Sequence, residues 1–450
     1  MLEKYIFFPV LSIVFLLQEV YITFNLTKQQ GYTIMRVCVI GAGVAGVCAA
    51  LQVSRSGVDC LLIEKNALSG GTLSAGGIAC PGLFHAWGGR QVISGIGWEL
   101  VKETVELSGA SMPDFSAFDM NYFWHYQVPV NSFIFSSLCD EKFNECKVDV
   151  RYHTMLAQLQ PDGDAWLVSL CGRDGIYTEK VDFVIDCTGD ANAVKMAGFP
   201  VSEPEICQPG TYSVHCSGYD LDSVDWDALR SSFNDACARK EVLPEDIGWL
   251  KGFARLFLVR NGENANHIRC RNVPHFRSMM EISGRQSVMR MYRFLKKQPG
   301  FEKLDIRFSG MECGVRESRT IIGEATVTEE EFLAGKIYPD AVCYGFYPVD
   351  LHDDEAGLIK RLLPEGVVPT VPRGALIPAG SSNMLAAGRI ISSDRMANSG
   401  LRIQATCMAT GQASGALAAL CVRHSAHPLE LPNDLLRNEL AKHGAILPPV

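Results

Sequence analysis

The pattern of apolar and polar residues in the first part of the chain predicts a strand, a helix and a second strand. Residues 36–40 form a short apolar run rich in β-branched residues, which favours a strand. Residues 44–54 have helical periodicity, and Gly57 is placed to end the helix. Residues 60–63 form a second apolar run that leads into Glu64. This order is typical of a β–α–β unit in a parallel sheet.

A glycine motif joins the first predicted strand to the helix. Gly41, Gly43 and Gly46 form the pattern G-x-G-x-x-G. The first glycine allows a tight turn, the second lets a pyrophosphate approach the backbone, and the third lets the helix pack closely on the strand. Glu64 follows at about the usual 20-residue spacing and is suited to accept hydrogen bonds from ribose hydroxyls. These features together predict a dinucleotide-binding site at the helix N-terminus.

Composition changes this picture little. Of 450 residues, 47% are apolar and 20% are charged, which excludes disorder and low complexity for most of the chain. The length favours more than one domain. The 41 Lys and Arg against 50 Asp and Glu give a net charge of −9, so we expect no nucleic-acid partner.

The sixteen cysteines are scattered along the chain, and C-x-x-C spacing does not occur in the sequence. That spacing is typical of zinc sites and of redox-active dithiol motifs. The sequence therefore predicts no metal site, and it indicates reduced thiols in a reducing compartment.

Residues 1–34 differ from the rest of the chain. The apolar run at 5–17 is shorter than the roughly 20 residues that span a bilayer. Met35 stands directly before the first predicted strand, so we interpret residues 1–34 as an N-terminal extension from an upstream start codon. A signal or anchor and a structural segment remain open alternatives. We expect a cytoplasmic protein without firm membrane association, or an exported or membrane-tethered one if residues 5–26 act as a signal or anchor.

The loop after Glu64 and three later stretches carry a family resemblance. Residues 65–77 are rich in glycine and hydroxyl residues where simple nicotinamide enzymes usually begin a helix. Residues 181–190 and 384–389 are apolar strands ending in small-residue turns, and residues 400–415 run into a helix of small residues. In these motifs the chain resembles the FAD-dependent oxidoreductase family of the glutathione-reductase-like two-domain flavoproteins. It is most similar to the branch of the succinate dehydrogenase and fumarate reductase flavoproteins.

The resemblance implies an α/β fold with a Rossmann-like FAD-binding domain and an inserted α+β substrate domain. The FAD-binding domain would contain a parallel sheet in a three-layer β/β/α arrangement. It would comprise residues 35–202 and 373–425, with 203–372 as the substrate or cap domain and 426–450 as a C-terminal tail.

Local patterns predict several elements inside the insert. Thr328 and Glu331 have the spacing of a capping box at the start of a helix. The periodicity predicts two further helices and two strands, at 225–240, 282–297, 255–259 and 341–349 respectively.

The resemblance implies FAD as the cofactor, with its pyrophosphate on the glycine turn and its ribose on Glu64. The N-terminus of the last small-residue helix would face the flavin. We expect FAD to be bound non-covalently, with attachment through His85 as the alternative. The cofactor-binding residues carried over from the motifs are Gly41, Gly43, Gly46, Glu64, Lys65, Gly71, Thr72, Ser74, Gly77, Thr188, Gly189, Asp190, Gly388, Arg389, Ala405 and Thr406.

The candidate catalytic residues are His352, Arg316 and Arg389. His352 is the preferred proton-transfer group, because hydride transfer to or from a flavin usually needs a partner acid or base. These two arginines, and also Arg319 and Arg402, would place positive charge near the flavin or a substrate carboxylate. Alternatively, His352 is a solvated loop residue and the arginines of this segment form structural ion pairs, Arg316–Glu317 and Arg319–Glu324.

The resulting interpretation is an FAD-dependent dehydrogenase. It would transfer a hydride between a small hydroxylated or carboxylated organic substrate and flavin N5, with an electron acceptor that the sequence does not identify. A homo-oligomer is compatible with the sequence. Two alternatives stay open, an NAD(P)H-fed flavin monooxygenase or reductase and a non-catalytic flavin-binding subunit.

Overall fold

The structure is a computed structural model that describes residues 35–247, 264–353 and 357–449. The expected extension at 1–34 and the strand predicted at 255–259 lie outside the described residues. The strands are β1 Arg36–Ile40, β2 Asp59–Ile63, β3 Asp149–Arg151, β4 Met155–Asp162, β5 Ala165–Gly172, β6 Gly175–Val181, β7 Phe183–Asp186, β8 Val201–Ser202, β9 Ile206–Ser217, β10 Asn264–Arg271, β11 Asp305–Ser309, β12 Thr320–Ile321, β13 Ala341–Tyr344, β14 Val349–Asp353, β15 Gly357–Arg361, β16 Thr370–Pro372 and β17 Met384–Ala386. The helices are α1 Val44–Arg55, α2 Ile96–Ser108, α3 Ser132–Cys146, α4 Asn192–Met196, α5 Trp226–Ala238, α6 Phe276–Leu295, α7 Glu329–Leu333, α8 Arg395–Leu401, α9 Gln404–His424 and α10 Asn433–Lys442.

A parallel sheet with the strand order β17-β7-β1-β2-β3 forms the centre of the fold. Side chains alternate between the two faces of each strand. On β1, Val37 and Val39 belong to the core shared with the helices, whereas Cys38 and Ile40 pack with the antiparallel sheet β4-β5-β6. Both faces of the sheet are therefore covered, which explains why its strands are almost continuously apolar. The predicted α/β fold with three β/β/α layers is confirmed.

Helix α9 packs directly on α1 through small residues. A Cβ at Gly411 would overlap the carbonyl oxygen of Ala45, and one at Gly415 would lie 2.5 Å from the carbonyl oxygen of Ala49. Among the described residues, α9 is the one helix with the length and hydropathy of a membrane span, and 89% of its apolar window is buried inside the protein. The small residues of α9 thus serve close helix packing in the core.

We expect Gly411→Ala to lower the free energy of unfolding by about 1–3 kcal/mol, because the new methyl group meets backbone that cannot turn aside. This cost exceeds the gain of about 1 kcal/mol that alanine usually brings to a helix. Urea unfolding measures the change. Gly172→Ala is the control, because its Cβ would meet Tyr177 at an ordinary 3.5 Å. Equal effects of the two substitutions would contradict this account of the packing.

A second hydrophobic core lies around the antiparallel sheet β10-β9-β11. Helices α5 and α6 cover it, with Phe233 and Phe294 among the buried side chains. By contacts, Arg36–Val450 is one compact unit. The expected boundaries of the FAD-binding and substrate domains stay a prediction.

The local predictions inside the insert are largely confirmed. Helix α5 matches the predicted 225–240, whereas α6 begins at Phe276, earlier than the predicted 282–297. The capping box of Thr328 and Glu331 is present at α7. The strand predicted at 341–349 is instead two strands, β13 and β14, which pair with different partners. Pro348 lies between them, and proline has no N–H for a strand ladder.

Candidate active site

A cavity of about 660 Å³ lies at the carboxyl ends of β1, β2, β7 and β17. Strand β2 lies on one side of β1 and β7 on the other. Open parallel sheets bind ligands at such a reversal of strand order. The cavity also reaches the segment that follows β11 and the first residue of α9.

The glycine turn between β1 and α1 forms one wall of the cavity. Gly41 has a φ of +99°, and a Cβ there would lie 2.7 Å from the carbonyl oxygen of Cys187. A Cβ at Gly46 would overlap the carbonyl oxygen of Gly41. Gly43 has only open space beyond its Cα and lines the cavity. The first and third glycines therefore allow tight packing, while the second leaves room for a ligand.

Glu64 is fixed in place before any ligand binds. Its Oε2 accepts a hydrogen bond from the N–H of Ala42 and its Oε1 accepts one from the N–H of Asn66, both at 2.8 Å. Burial raises the pKa of Glu64, and these backbone hydrogen bonds oppose that rise. Each carboxylate oxygen has two lone pairs, so the group retains acceptor capacity for ribose hydroxyls at the cavity wall.

The loop after β2 folds back onto the glycine turn. The N–H of Gly70 donates to the carbonyl oxygen of Ala42 at 2.7 Å. Gly71 and Thr72 line the cavity, and so does Lys65, which forms an ion pair with Glu312. The loop thus brings backbone and hydroxyl groups to the cavity, as the sequence predicts for a cofactor-binding segment.

Asp190 and Arg389 meet at the ends of β7 and β17. The carboxylate of Asp190 accepts hydrogen bonds from Arg277 at 2.6 Å, Ser318 at 2.6 Å and Arg389 at 3.0 Å. Burial alone would raise the pKa of Asp190, but the charges of Arg277 and Arg389 outweigh it and hold that pKa far below its usual range. Arg389 is therefore an ion-paired residue in the cavity wall.

The first turn of α9 reaches the cavity through Gln404. Its Nε2 donates to the carbonyl oxygen of Ile78 at 2.9 Å, while its buried Oε1 has no hydrogen-bond partner among the described residues. Ala405 and Thr406, the residues carried over from the family motif, follow Gln404 in the helix. Both are buried and lie outside the cavity lining. The sequence places the helix correctly but misses Gln404.

A cluster of charged and polar side chains lies at the end of the cavity nearest the sheet of β9. We call it the anion subsite, and it consists of Arg316, Tyr347, Asp350, His352 and Arg402. The Nε2 of His352 lies 3.3 Å from Oδ2 of Asp350. The guanidinium of Arg402 lies 3.7 Å from the same carboxylate oxygen. The cluster thus contains two arginines and one carboxylate.

Burial and neighbouring charges shift the pKa values of three groups in the anion subsite. Burial and the neighbouring charge of Arg402 lower the pKa of Arg316 to about 10. Burial would raise the pKa of Asp350, but the hydrogen bond from His352 and the charges of Arg402 and Arg316 lower it to about 2. Burial lowers the pKa of His352, and only the contact with Asp350 opposes that shift. At neutral pH the guanidinium groups of Arg316 and Arg402 are charged and both line the cavity, which suits an anionic ligand.

The predicted site residues fall into two groups. Those that line the cavity are Gly41, Gly43, Glu64, Lys65, Gly71, Thr72, Thr188, Gly189, Asp190, Arg316, His352, Gly388 and Arg389. Those that pack behind the lining residues are Gly46, Ser74, Gly77, Ala405 and Thr406.

The alternative prediction, in which Arg316 pairs with Glu317 and Arg319 pairs with Glu324, is wrong. Glu317 pairs with Arg395 at 3.0 Å, because neighbouring side chains in the extended segment around Arg316 point to opposite sides. Arg319 pairs with Glu203, since the pairing of β12 with β8 places these two residues together.

His85 lies outside the cavity lining. Its ring stacks on Phe115 with centroids 3.8 Å apart and meets the edge of Trp98. Burial lowers the pKa of His85 to about 4. Its contacts are those of an aromatic core residue. In the part of the chain that the structure describes, no group of three or more His, Cys, Asp or Glu side chains is arranged to hold a metal ion.

The wall of the cavity suits a flavin dinucleotide. The space beyond Gly43 is open to the cavity at the helix N-terminus, where a pyrophosphate would bind. Three of the buried polar atoms that have no hydrogen-bond partner among the described residues belong to residues that line the cavity: Nε of Arg389, Nε of Arg402 and Oε1 of Gln404. Such atoms are expected where a polar ligand completes the site.

Solved structures with weak likeness cover most of the chain. CabE, an aromatic hydroxylase from angucycline biosynthesis, aligns with a TM-score of 0.44 and 14% identity over 91% of this chain and 66% of CabE. The p-nitrophenol 4-monooxygenase PnpA from Pseudomonas putida DLL-E4 aligns with a TM-score of 0.40 and 11% identity over 91% of this chain and 84% of PnpA. A flavoprotein/dehydrogenase from Cytophaga hutchinsonii aligns with a TM-score of 0.41 and 15% identity over 91% of this chain and 82% of that protein. This chain thus spans just under two thirds of CabE. Likeness at these TM-scores carries no inference about substrate or reaction.

No curated protein matches the chain. The family comparison is more informative, because a match to the FAD dependent oxidoreductases extends over residues 36–440. That range contains the glycine turn, Glu64 and the anion subsite. It identifies FAD as the cofactor and the protein as an enzyme, in agreement with the sequence-based expectation. The chain belongs to the FAD dependent oxidoreductase family.

Proposed function

We propose that this enzyme is a dehydrogenase for a small organic acid that has a hydroxyl group on the carbon that loses hydride. The observation that carries the proposal is the pair of cavity-lining arginines, Arg316 and Arg402, which lie close to each other and to the carboxylate of Asp350. A substrate carboxylate would accept bidentate hydrogen bonds from a guanidinium at this place. The nearer relationship to succinate dehydrogenase and fumarate reductase flavoproteins is part of this proposal.

In this proposal His352, which lines the cavity, accepts the hydroxyl proton. Asp350 is ionised at neutral pH and can only accept hydrogen bonds, so Nε2 of His352 must carry the proton that it shares with Asp350. FAD, when bound, supplies the hydride acceptor. The burial that lowers the pKa of His352 keeps the imidazole unprotonated and ready to act as a base.

Anaerobic bleaching of the flavin tests the proposal. The holoenzyme is mixed with a panel of 2-hydroxy acids and with the matching alcohols that lack the carboxylate. We expect the visible flavin absorbance to fall with one or more acids and to persist with the alcohols. Bleaching by NADPH or NADH alone would instead favour the NAD(P)H-fed monooxygenase or reductase. Absence of bleaching with every compound would favour a non-catalytic flavin-binding subunit.

The rate of substrate oxidation should fall on the acid side as His352 becomes protonated. Because the pKa of His352 is lowered, this fall should lie below the ordinary histidine pKa of about 6.5. Asp350 raises that pKa, so Asp350→Asn should move the fall in kcat/KM to still lower pH. Asp305→Asn, at an exposed pair with Arg307, should leave the profile unchanged. If the acid-side fall in kcat/KM moves to higher pH in Asp350→Asn, His352 is not the titrating base.

A further inference from the structure

Two buried cysteines face each other across β9 and β10. Cys207 and Cys270 are directly opposite in the antiparallel register and are 1% and 0% exposed. Opposite residues on antiparallel strands have Cα atoms about 4.5 or 5.5 Å apart. A disulfide is compatible with about 4.4–6.8 Å between Cα atoms. Closing a disulfide here therefore needs little movement of either strand.

The cysteine pair lies near the end of the sheet. Strand β10 is at the edge in the order β10-β9-β11, and Ile206 and Arg271 are the last residues paired beyond the cysteines. The side chain of Ile206 is exposed. Ends of edge strands open locally at small cost in free energy, so a small oxidant can reach the thiols without global unfolding.

Strand β9 continues from the cysteine pair into two residues that hold the anion subsite. The Oε1 of Gln208 accepts hydrogen bonds from the N–H of His352 at 3.3 Å and from Nη2 of Arg402 at 3.4 Å. The carbonyl oxygen of Pro209 accepts one from Nη1 of Arg316 at 2.7 Å. The residues next to Cys207 on β9 thus contact three members of the subsite.

The second cysteine touches the same segment from the other strand. The thiol of Cys270 donates to the carbonyl oxygen of Glu317 at 3.8 Å, next to Arg316 in the chain. The Oε2 of Glu317 in turn accepts a hydrogen bond from the N–H of Gln208 at 2.6 Å. A disulfide would remove the thiol proton that holds Cys270 to Glu317.

We propose that Cys207 and Cys270 form a reversible disulfide that lowers the affinity of the anion subsite, and the second half of this proposal rests on the proposed function. A hydroperoxide is the oxidant. It takes two electrons from the two thiols, an S–S bond forms, and the O–O bond breaks. The two thiol protons leave in the water and the alcohol, or in two waters when the oxidant is hydrogen peroxide. One cysteine attacks the peroxide oxygen as its thiolate, and the other then attacks that sulfur to close the disulfide.

Peptide mapping of the peroxide-treated holoenzyme tests the covalent step. Digestion without reductant should give a peptide cross-linked between Cys207 and Cys270, and dithiothreitol should reverse it. Cys171→Ser is the matched control, because Cys171 is an exposed cysteine on another sheet and its loss should leave the cross-link intact. Cys270→Ala should abolish it, and Cys207→Ala provides a second variant if the first folds poorly. Oxidation of Cys171 without cross-linking of the pair would overturn the proposal.

Binding of oxalate, followed by the visible flavin spectrum, tests the link to the subsite. Oxalate has the carboxylates but no hydride to lose. Its Kd should rise about tenfold on oxidation, as expected from the loss of one charge-assisted hydrogen bond, and dithiothreitol should restore it. The rise should be absent in Cys270→Ala and present in Cys171→Ser. An unchanged Kd for oxalate in fully cross-linked enzyme would overturn the proposal that the disulfide lowers the affinity of the anion subsite.

A failure of the proposed function is distinguishable from a failure of this inference. If the reduced enzyme does not bind oxalate, the proposed function fails, while the cross-link is still measured. Amide hydrogen exchange of residues 207–209 and 316–317 then tests the link without a ligand. Equal exchange rates in the reduced and cross-linked enzymes would overturn the proposed link between the disulfide and the anion subsite.

Discussion

Gly43→Ala is expected to leave the apoprotein as stable as before and to weaken FAD binding about 100-fold, or about 3 kcal/mol. The backbone at Gly43 has φ −62° and ψ 174°, which alanine adopts without strain. Its Cβ would meet no atom within 4 Å in the structure. The methyl group would instead occupy the space through which a pyrophosphate approaches the helix N-terminus.

Gly46→Ala provides the contrast, because its Cβ would overlap the carbonyl oxygen of Gly41. That substitution should lower both the thermal stability of the apoprotein and the retention of FAD. Thermal unfolding of the stripped proteins and fluorescence titration with FAD separate the two effects. Unchanged FAD affinity in Gly43→Ala would show that the pyrophosphate does not bind at this turn.

Arg316→Leu is expected to reduce kcat/KM for a carboxylate substrate about 100-fold or more, because one partner of a buried charge pair is lost. Leucine fills much of the space that the arginine stem occupies, so the change removes mainly the charge and its hydrogen bonds. FAD binding should be retained, since the FAD-binding motifs lie on other elements. The apoprotein should stay folded, because Arg316 is already disfavoured by burial and by the charge of Arg402.

Steady-state kinetics and oxalate titration measure the effect of Arg316→Leu, and both should show weaker binding. Arg361→Leu is the control, because this exposed residue on β15 pairs with Glu329 away from the cavity. A loss of activity with unchanged oxalate affinity would mean that Arg316 acts on the reaction without binding the carboxylate.

The β–α–β unit could be predicted from the sequence because its determinants are local. The periodicity around Gly41, Gly43 and Gly46 and the position of Glu64 are all contained in one short stretch. Steric demands of the backbone fix such a turn almost independently of the rest of the chain. The structure places these residues as predicted, with Gly46 behind the wall that the other three form.

The anion subsite could be predicted only in part. Residue type and family motif identify Arg316, Arg402 and His352, and the contact of His352 with Asp350 is local, because both lie on β14. The approach of Arg402 to Asp350 and of Gln208 to Arg402 joins separate elements, and no local spacing encodes it.

Small errors in register explain the misses at α9 and in the loop after β2. The helix begins at Gln404, so the residue that faces the cavity precedes the predicted Ala405 and Thr406. Ser74 bonds within its own loop, with its hydroxyl donating to the carbonyl oxygen of Ser69 at 2.5 Å. A family motif gives the segment correctly but does not resolve which side of a turn each side chain occupies.

The packing of α9 on α1 has a consequence for synthesis on the ribosome. The strand that completes one edge of the central sheet, β17, and the helix that covers α1 both come from the last part of the chain. The first β–α–β unit therefore emerges long before the residues that bury its apolar surface. Folding of this region must wait until nearly the whole chain is made, and its contacts are among the most distant in sequence. The nascent protein thus exposes its cofactor-binding strands during most of translation, when association with other chains or with chaperones competes with folding.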